Sequence, residues 1–539
     1  MAVYLFTFLW VFFLTQGLPM GEPDDWNLIF KSKDTAGTEL LKNLSLPWSK
    51  SKYWFNQIDG VDQIHHKRIV NGIILKSIEA VFGCRFLPFY LFAKAIFFAG
   101  VVALFFLFAY SVTTSIPFAL GGTLFFLLVP AHYSHVMWVA DPITIAQFFV
   151  ALGVWIFLHL TLNIDQNRSM KEFLFLLCSF LVVGILGIKT KEPALILPMI
   201  AGAYSLIRLR TWKMRLMKVF LLGVVIALLA FQIVPIEHLG ATGQAFAFNR
   251  DNFVRMLFKN HHCGYEDEPV SAFFSLQRIW PVSIARTFGF FPLWTLMFLF
   301  ALHWVMKVRR NRDSLAGFLG HQMVVISLLW AGIDIALFGV FQPEPRFLSG
   351  TFVPLTLLAA RLLWCVYRNT AKPWKSLVVM VAVLAAGWTT IYNNLYSVLA
   401  LRANIGKRNN RFVNVAKLIY EDQFPGKSPT MRELALFYCP SALYLSPQRP
   451  RMEDVTYYTE LPRENWSKTR TPSLEDFARS AQRGALYWVT FTKEGLAGAS
   501  NVTHLATVSG INQGSISEYL ILTKFSVPEP LYIFKYVPR

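Results

Sequence analysis

The chain has 539 residues, of which 55% are hydrophobic and 15% are charged. Soluble proteins keep about a quarter of their residues charged, so this composition excludes an ordinary soluble domain and favours a helical protein that crosses the bilayer many times. The net charge of +19 comes from 51 Lys and Arg against 32 Asp and Glu. In a membrane protein such an excess collects in cytoplasmic loops and near anionic headgroups, so nucleic acid is not an expected partner.

Apolar runs of spanning length recur along residues 1–397. The first run lacks the basic start and the small-residue cleavage site of a signal peptide, so we expect it to be retained. The runs predict an all-α polytopic protein with about eleven transmembrane helices, at 2–19, 88–110, 113–131, 142–163, 172–189, 193–208, 219–235, 285–306, 314–341, 347–367 and 376–397.

The Lys and Arg residues of the short loops predict which side each loop faces, because positively charged loops stay in the cytoplasm. With the N-terminus inside, the basic loops fall together on the cytoplasmic side, at 168–171, 208–218, 307–312 and 368–375. The opposite face then holds 20–87, 132–141, 189–192, 236–284, 342–346 and the tail from 398. We expect the chemistry on that outer face. The expected location is a bacterial inner membrane with the tail in the periplasm, and the endoplasmic reticulum membrane is the alternative.

Two outer segments have a pattern of their own. The long first loop, 20–87, predicts an amphipathic helix lying in the membrane interface. Its apolar residues at helical spacing are Ile69, Ile73, Ile74, Ile78, Val81 and Phe82. Residues 398–539 contain no spanning run but include the β-rich stretches "ALYWVTF" and "EYLILTKF". We expect a transmembrane domain at 1–397 and a small, external, mixed α/β domain at 398–539.

Charged and polar residues repeat at the outer ends of the predicted spans. A charge in that position is costly unless it is solvated, paired or functional. Because both signs occur on one face, the pattern favours a shared polar cavity over a set of solvated loops. The residues are Asp24 and Asp25 after the first span, His132, His135 and Asp141 between the third and fourth, Lys189, Lys191 and Glu192 before the sixth, and Glu344 and Arg346 before the tenth.

The order of these motifs resembles the C-type glycosyltransferases (GT-C), and particularly their protein O-mannosyltransferase-like branches. The features are the acidic pair, the long amphipathic loop, "KTKEPALILP" and "PEPRFLSGTFVP". The phrase "HYSHVMWVADPITIAQFFVAL" is similar to the His-rich, then acidic, junction of the branch that carries tetratricopeptide repeats. The sequence has no such repeats, and Arg68 of "RIVNG" stands where that branch has a His. The resemblance covers about the first 370 residues.

The resemblance implies an inverting, metal-independent sugar transfer from a polyprenyl-phosphate lipid to a glycan, lipid or protein acceptor. A neutral hydroxyl is a poor nucleophile and needs a base, and the departing phosphate needs cations. Asp25, or else Asp24, is expected to be the base. Lys191 and Arg346 are expected to bind the donor phosphate. Residues expected to bind substrate or support the site are His132, His135, Asp141, Glu192 and Glu344.

Each of these assignments has a structural alternative. Asp24 and Asp25 could cap a loop helix. Lys191 and Arg346 could form ion pairs with the glutamates beside them, which would orient the cations and is compatible with phosphate binding. His132 and His135 could coordinate a metal if helical, but no third ligand has a suitable spacing. In "NHHCGYEDE" the adjacent His261, His262 and Cys263 cannot easily converge on one ion. No metal or other cofactor is therefore expected.

A secondary transporter or a lipid-linked glycan flippase is the alternative function. It predicts paired repeats, broken helices and charges near the middle of spans. One acid, Asp334, falls within the predicted span 314–341. No half-to-half repetition is evident, and a transporter does not need the long outer tail. A glycosyltransferase explains more of the pattern.

Overall fold

The computed structural model is mostly helical. It describes residues 1–15, 69–82, 86–137, 142–212, 215–231, 321–334, 350–369 and 372–388, and from there on 395, 398–399, 402, 414–415, 417–419, 421–422, 425–426, 455–457, 487–490, 502–508 and 530–536.

The helices follow the apolar runs, because a backbone in hydrocarbon must satisfy its hydrogen bonds internally. We number them in chain order: α1 Ala2–Thr15, α2 Ile69–Phe82, α3 Phe86–Thr113, α4 Ile116–Leu127, α5 Pro130–Met137, α6 Ile143–Asp165, α7 Met170–Ile188, α8 Ile196–Trp212, α9 Leu216–Phe231, α10 Gln322–Asp334, α11 Phe352–Asn369 and α12 Lys372–Trp388, with a 3-10 helix at Glu192–Leu195 before α8.

Local sequence explains several helix ends. Ser169 caps α7, since its hydroxyl accepts a 3.2 Å hydrogen bond from the backbone N–H of Lys171. Pro117 lies in the first turn of α4, where its missing N–H costs nothing. Thr114, between α3 and α4, has a φ of 52°, which a tight reversal requires.

A helix lies at each predicted span that falls among the described residues, whereas the predicted span 285–306 falls outside them. Helical segments long and apolar enough to cross a membrane are Phe89–Thr113, Ile143–Asp165, Met170–Ile188 and Pro193–Trp212. Shorter apolar helices occupy Ala2–Thr15, Ile116–Leu127, Leu216–Ala230 and Gln322–Asp334. The chain is a membrane protein, and the number of eleven spans stays a prediction.

Helix α3 lies at the centre of the bundle and packs against α1, α2, α4, α6 and α11. Small residues allow close approach, as is common where helices meet in membranes. A Cβ added at Gly100 of α3 would lie 2.5 Å from the ring of Phe148 on α6, and one at Gly153 of α6 would lie 2.5 Å from Leu197 on α8. These contacts set the distance between the central helices.

Helix α1 is joined to residues that are distant in the sequence. Trp10 donates a 2.7 Å hydrogen bond from its indole to the hydroxyl of Tyr133, which in turn donates to the carbonyl of Leu127 at 2.7 Å. Arg402 Nε donates to the carbonyl of Leu14 at 2.9 Å. This bond joins α1 to a residue 388 positions later in the chain.

The bundle end that carries the basic loops, here called the inner end, is held by Asp165, the last residue of α6. Its carboxylate accepts from Arg208 at 2.9 and 3.1 Å, from the indole of Trp212 at 2.7 Å, and from the side chain of Gln322. Nearby, the buried Lys218 donates to Asn163 Oδ1 at 2.9 Å and to the carbonyl of Arg168 at 2.6 Å. These bonds tie α6 to α8, α9 and α10.

The tail contains a mixed four-stranded sheet. Its strands are β1 Val455–Tyr457, β2 Tyr487–Thr490, β3 Val502–Val508 and β4 Leu531–Tyr536, in the order β1-β2-β4-β3. The β1–β2 pair is parallel, and the other two pairs are antiparallel. The predicted strand "ALYWVTF" contains β2, whereas "EYLILTKF" lies outside the described residues. The boundary at 397 and the external location of the tail remain predictions.

Candidate functional site

Buried polar side chains collect at the end of the bundle opposite Asp165, here called the outer end. Burying a polar group costs free energy unless it is hydrogen-bonded or serves a ligand, so such a collection is a candidate site. Helices α2, α3 and α6 begin at this end, α7 and α10 finish there, and α5 crosses it. The buried polar residues are Asn71, Lys94, His132, His135, Thr144, Gln147, Lys189, Thr190, Lys191, Asp334 and Thr351.

The predicted phosphate-binding residue Lys191 is buried, with 4% of its surface exposed. It has extended backbone angles between α7 and the 3-10 helix, with φ at −167° and ψ at 158°. Its N–H donates to the carbonyl of Gly187 at 3.2 Å, and its own carbonyl accepts from Ala194 at 3.1 Å. Pro193 cannot continue the preceding helix, because it lacks a backbone N–H, so the helix breaks at Lys191, just before the 3-10 helix. The backbone of Glu192 begins the 3-10 helix, and its side chain lies outside what the structure describes.

The first turn of α2 docks beside this segment. The N–H of Val70 donates to the carbonyl of Lys189 at 3.2 Å. The next residue, Asn71, accepts a hydrogen bond from the hydroxyl of Tyr90 on α3. The helix predicted from the long first loop is therefore confirmed, and its beginning connects α3 with the Lys189–Lys191 segment.

The bundle covers the first part of α2 and leaves its last residues exposed. Val70, Asn71 and Leu75 are buried, whereas Val81 and Phe82 are 73% and 40% exposed. Docking of the first turn on the bundle determines which side chains the protein covers, and the interfacial location of α2 stays a prediction.

His135 is hydrogen-bonded through both its ring and its backbone. Its Nδ1 lies 2.9 Å from the hydroxyl of Thr144, the second residue of α6. Its carbonyl accepts a 2.6 Å hydrogen bond from the ammonium of Lys94 on α3. The short helix α5 is thereby fixed to both of its neighbours.

Sequence reasoning missed Lys94, although a signal was present. It is the one charged residue of α3, within the apolar run 88–110, and none of its surface is exposed. An ionisable residue inside a spanning helix is a functional candidate by default. The candidate site residues predicted from the sequence all lie at the ends of predicted spans, whereas Lys94 lies within one.

His132 lies among aromatic rings. Its ring centroid is 4.5 Å from that of Phe126, 5.6 Å from that of Phe98 and 6.1 Å from that of Phe352. Neither ring nitrogen has a hydrogen-bond partner among the residues that the structure describes. Burial lowers the pKa of His132 to about 3, so the ring is neutral at neutral pH. It packs α5 against the beginning of α11.

Asp334 lies in α10 and is buried at the outer end of the bundle. Its Oδ2 accepts a 2.6 Å hydrogen bond from the hydroxyl of Thr351. A Cβ on Gly350 would lie 3.1 Å from the same oxygen, so the backbone approaches closely here.

The remaining predicted site residues lie outside the described residues: Asp24, Asp25, Asp141, Glu344 and Arg346. The structure therefore brings together His132, His135, Lys189 and Lys191 at one end of the bundle. It adds Asn71, Lys94 and Asp334 to them. Within the described part of the chain, no three His, Cys, Asp or Glu side chains are placed to hold a metal ion.

Comparison with known proteins identifies the fold. The sequence matches no protein-family model and no curated protein. The structure is similar to the crystal structure of ArnT from Cupriavidus metallidurans bound to undecaprenyl phosphate, with a TM-score of 0.50 and 14% sequence identity, over 94% of this chain and 96% of that one. The fold is that of the C-type glycosyltransferases. The GT-C-like fold class and its helical character are thus confirmed.

Two structures of the oligosaccharyltransferase of Archaeoglobus fulgidus match less closely, each with a TM-score of 0.48. One is AglB in complex with an inhibitory peptide and a dolichol-phosphate, 11% identical over 90% of this chain and 69% of that one. The other is tethered by a disulfide to an acceptor peptide containing the NVT sequon, 12% identical over 91% of this chain and 68% of that one.

Proposed function

We propose that this GT-C-fold chain is an integral-membrane glycosyltransferase that uses a polyprenyl-phosphate sugar donor. The observation that carries the proposal is the fold, which extends over 94% of the chain and is shared with a protein crystallised with undecaprenyl phosphate. A second observation supports it: Lys94, Lys189 and Lys191 are all buried at the outer end of the bundle. This concentration of cationic side chains at one end of the bundle favours an anionic ligand there.

The donor phosphate is the anion that these residues suit. Transfer breaks the bond between the sugar's anomeric carbon and a phosphate oxygen, and the electron pair of that bond stays on the phosphate. Charge-assisted hydrogen bonds from Lys191 and Arg346 stabilise this growing charge. Because Lys191 is almost fully buried, water does not screen its charge as it would at a surface.

The acceptor hydroxyl attacks from the opposite side of the sugar ring, so the anomeric configuration inverts. Its oxygen forms the new bond to the anomeric carbon and its proton passes to Asp25, or else to Asp24. His135, Asp141, Glu192 and Glu344 orient the reactants and the cations. The acceptor is a glycan, a lipid or a protein on the outer face, which is periplasmic in a bacterial inner membrane.

The test is transfer by the purified chain in proteoliposomes. Undecaprenyl-phosphate hexoses and pentoses, radiolabelled in the sugar, are offered with lipid-linked glycan, lipid and peptide acceptors. We expect label to move to one acceptor class and undecaprenyl phosphate to be released.

Two outcomes would overturn the proposal. One is that no donor is consumed and undecaprenyl phosphate binds no better than undecaprenol. The other is movement of intact donor between the two leaflets without transfer, which would support the flippase reading.

A further inference from the structure

Asp334 is buried, and its two carboxylate oxygens have different surroundings. The residue is 1% exposed, and the hydroxyl of Thr351 donates to Oδ2 at 2.6 Å. Among the residues that the structure describes, Oδ1 has no hydrogen-bond partner. A buried acceptor without a donor costs free energy, and the cost is greater for a charged group than for a neutral one. Such an atom needs an explanation, and a ligand that donates to Oδ1 is one.

The helix that carries Asp334 is otherwise uncharged. Within Gln322–Asp334 of α10, Asp334 is the one ionisable residue. The helix begins beside Asp165 at the inner end, where Gln322 is bonded, so Asp334 lies towards the outer end. Ionisable residues in spanning helices face the interior of a bundle or a cavity, and they commonly mark functional sites. Asp334 is therefore a candidate for ligand binding.

A second buried side chain with unpaired polar atoms lies at the same place. Neither ring nitrogen of His132 has a partner among the described residues. Its ring centroid is 6.1 Å from that of Phe352, the residue that follows Thr351. The beginning of α11 therefore contacts both His132 and Asp334. A neutral imidazole offers one donor and one acceptor, and ligand sites are commonly lined by aromatic rings with a few such polar groups.

The segment that follows Asp334 in the sequence carries a proposed phosphate-binding residue. Arg346 stands five positions before Thr351. An extended chain spans at most about 3.6 Å per residue, so the Cα atoms of these two residues are at most about 18 Å apart. In the proposed donor, the sugar is bonded directly to the phosphate. This limit is compatible with Arg346 on the phosphate and Asp334 on the sugar.

We propose that Asp334 is a sugar-binding residue, whose Oδ1 accepts a hydrogen bond from a hydroxyl group of the donor's sugar. The inference rests on the proposed function and names the part of the donor that Asp334 recognises. Thr351 holds the other oxygen and so fixes the orientation of the carboxylate. The bond from the sugar is charge-assisted, and a sugar without that hydroxyl leaves the buried carboxylate oxygen unpaired. Asp334 thereby discriminates among sugars.

Two substitutions separate sugar binding from support of the fold. Asp334→Asn keeps an oxygen that accepts from Thr351, and it replaces the acceptor at Oδ1 with an N–H donor. Thr351→Val removes the hydroxyl and keeps the carboxylate. The matched control is Asp165→Asn, since Asp165 is a carboxylate at the inner end that is only 20% exposed.

The experiment measures the affinity of detergent-solubilised full-length variants for lipids that differ in the sugar. The donor is the conjugate that the parent transfers fastest among undecaprenyl-phosphate mannose, glucose, galactose, xylose and arabinose. It is compared with analogues that each lack one sugar hydroxyl, with undecaprenyl phosphate and with undecaprenol. The ratio of the affinities for the donor and for a deoxy analogue reports the contribution of that hydroxyl.

In the parent, one deoxy analogue should bind about tenfold to a hundredfold more weakly than the donor, because a charge-assisted hydrogen bond is lost. Asp334→Asn should bind the donor and that analogue about equally, and should bind undecaprenyl phosphate as the parent does. Thr351→Val should be less stable but retain most of the discrimination. Asp165→Asn should keep the parent's ratio of affinities.

Distinct results would overturn the proposed function and this inference. If the parent transfers no sugar and binds undecaprenyl phosphate no better than undecaprenol, the proposed function fails and the inference fails with it. If the parent transfers sugar but binds every analogue as it binds the donor, or Asp334→Asn discriminates as the parent does, only the inference fails.

Two further results would give Asp334 another role and so overturn the inference alone. An equal loss of affinity for the donor and for undecaprenyl phosphate in Asp334→Asn would show that Asp334 acts through the phosphate-binding segment. Loss of turnover with unchanged discrimination would indicate that Asp334 is the base.

A structure of the unaltered chain with the donor decides the case in which Asp334→Asn does not fold. A sugar oxygen about 2.5–2.7 Å from Asp334 Oδ1 would support the inference, and a sugar beyond hydrogen-bond reach would overturn it.

Discussion

The hydroxyl of Thr351 donates a 2.6 Å hydrogen bond to Asp334, and this bond joins the last residue of α10 to the residue that precedes α11. Both residues are buried. The segment between them in the sequence carries Glu344 and Arg346. The bond therefore fixes both attachment points of a segment to which we assign phosphate binding.

Replacing Thr351 tests how much this bond contributes. Thr351→Val keeps the shape of the side chain but removes its hydroxyl, so the buried Asp334 loses this hydrogen-bond donor. We therefore expect a loss of roughly 1–3 kcal/mol of stability. Thr351→Ser keeps the donor and should recover most of the loss. Thermal unfolding in detergent measures both variants. Equal stability of Thr351→Val and the parent would show that the bond is dispensable.

Asp165 should matter to stability more than exposed charges nearby. Asp165→Ala leaves the donors of Arg208, Trp212 and Gln322 without their shared acceptor at the inner end. We expect a loss of about 2–3 kcal/mol in detergent unfolding, since these groups are only partly exposed.

The matched control for this prediction is Glu172→Gln. It removes an ion pair with Arg168 in which both side chains are 44% exposed, and such surface pairs contribute little. A larger effect at Glu172 than at Asp165 would contradict the proposed anchoring of the inner end.

Stability should fall in mild acid because of His132. Unfolded His132 binds its proton near the ordinary pKa of 6.5, whereas burial lowers its pKa in the folded chain to about 3. The free energy of unfolding therefore has its full His132 contribution above pH 6.5 and loses it as the pH falls from 6.5 towards 3. The slope in that window is about 1.4 kcal/mol per pH unit. His132→Phe should flatten it in unfolding curves at pH 4 to 7, and an unchanged slope would show that other groups determine acid sensitivity.

Loss of either proposed phosphate cation should impair use of the donor. A charge-assisted phosphate contact contributes roughly 1.5–3 kcal/mol, so Lys191→Ala and Arg346→Ala should each lower kcat/KM for the donor about tenfold to a hundredfold. Arg210→Ala is the control, because Arg210 is an exposed cation at the other end of the bundle. Parent-like transfer by both alanine variants would remove Lys191 and Arg346 from the site.

A conservative substitution separates the two interpretations of Asp24 and Asp25. Asn caps a helix about as well as Asp, so it should be nearly harmless if the pair is only a cap. If Asp25 is the base, Asp25→Asn should lower turnover by about 10²–10⁴ while donor binding survives. Single-turnover transfer and lipid-phosphate binding are the two measurements. Parent-like rates in both single variants and in the double variant would show that the base is another residue, and Asp141 would be the next candidate.

The fold was predictable where one physical signal dominated. Hydrocarbon requires long apolar helices, so apolar runs predicted the helices that the structure contains. Hydropathy alone could not show the hydrogen bond between Asp334 and Thr351, because that contact depends on how α10 packs against the beginning of α11.

The site was predictable only in part, because its members meet through tertiary contacts. Lys191 and His135 stood at the ends of predicted spans, so both were predicted as candidates, and the structure buries both at the outer end. Lys94 was not predicted, since its hydrogen bond to His135 depends on the approach of α5, which sequence periodicity does not encode. The contacts of His132 with three phenylalanines likewise depend on the meeting of α3, α4 and α11.

The hydrogen bonds of α1 have a consequence for how the chain is made. The hydrogen bond of the Trp10 indole needs Tyr133, which is synthesised more than a hundred positions later, and the bond to the Leu14 carbonyl needs Arg402. During translation, the first helix therefore enters the bilayer before either partner exists. The Trp10 indole lacks its acceptor until Tyr133 has been synthesised, and the Leu14 carbonyl lacks the Arg402 donor until the ribosome has passed residue 402. A nascent chain stalled before that point should be more sensitive to membrane quality-control proteases than one stalled just after it.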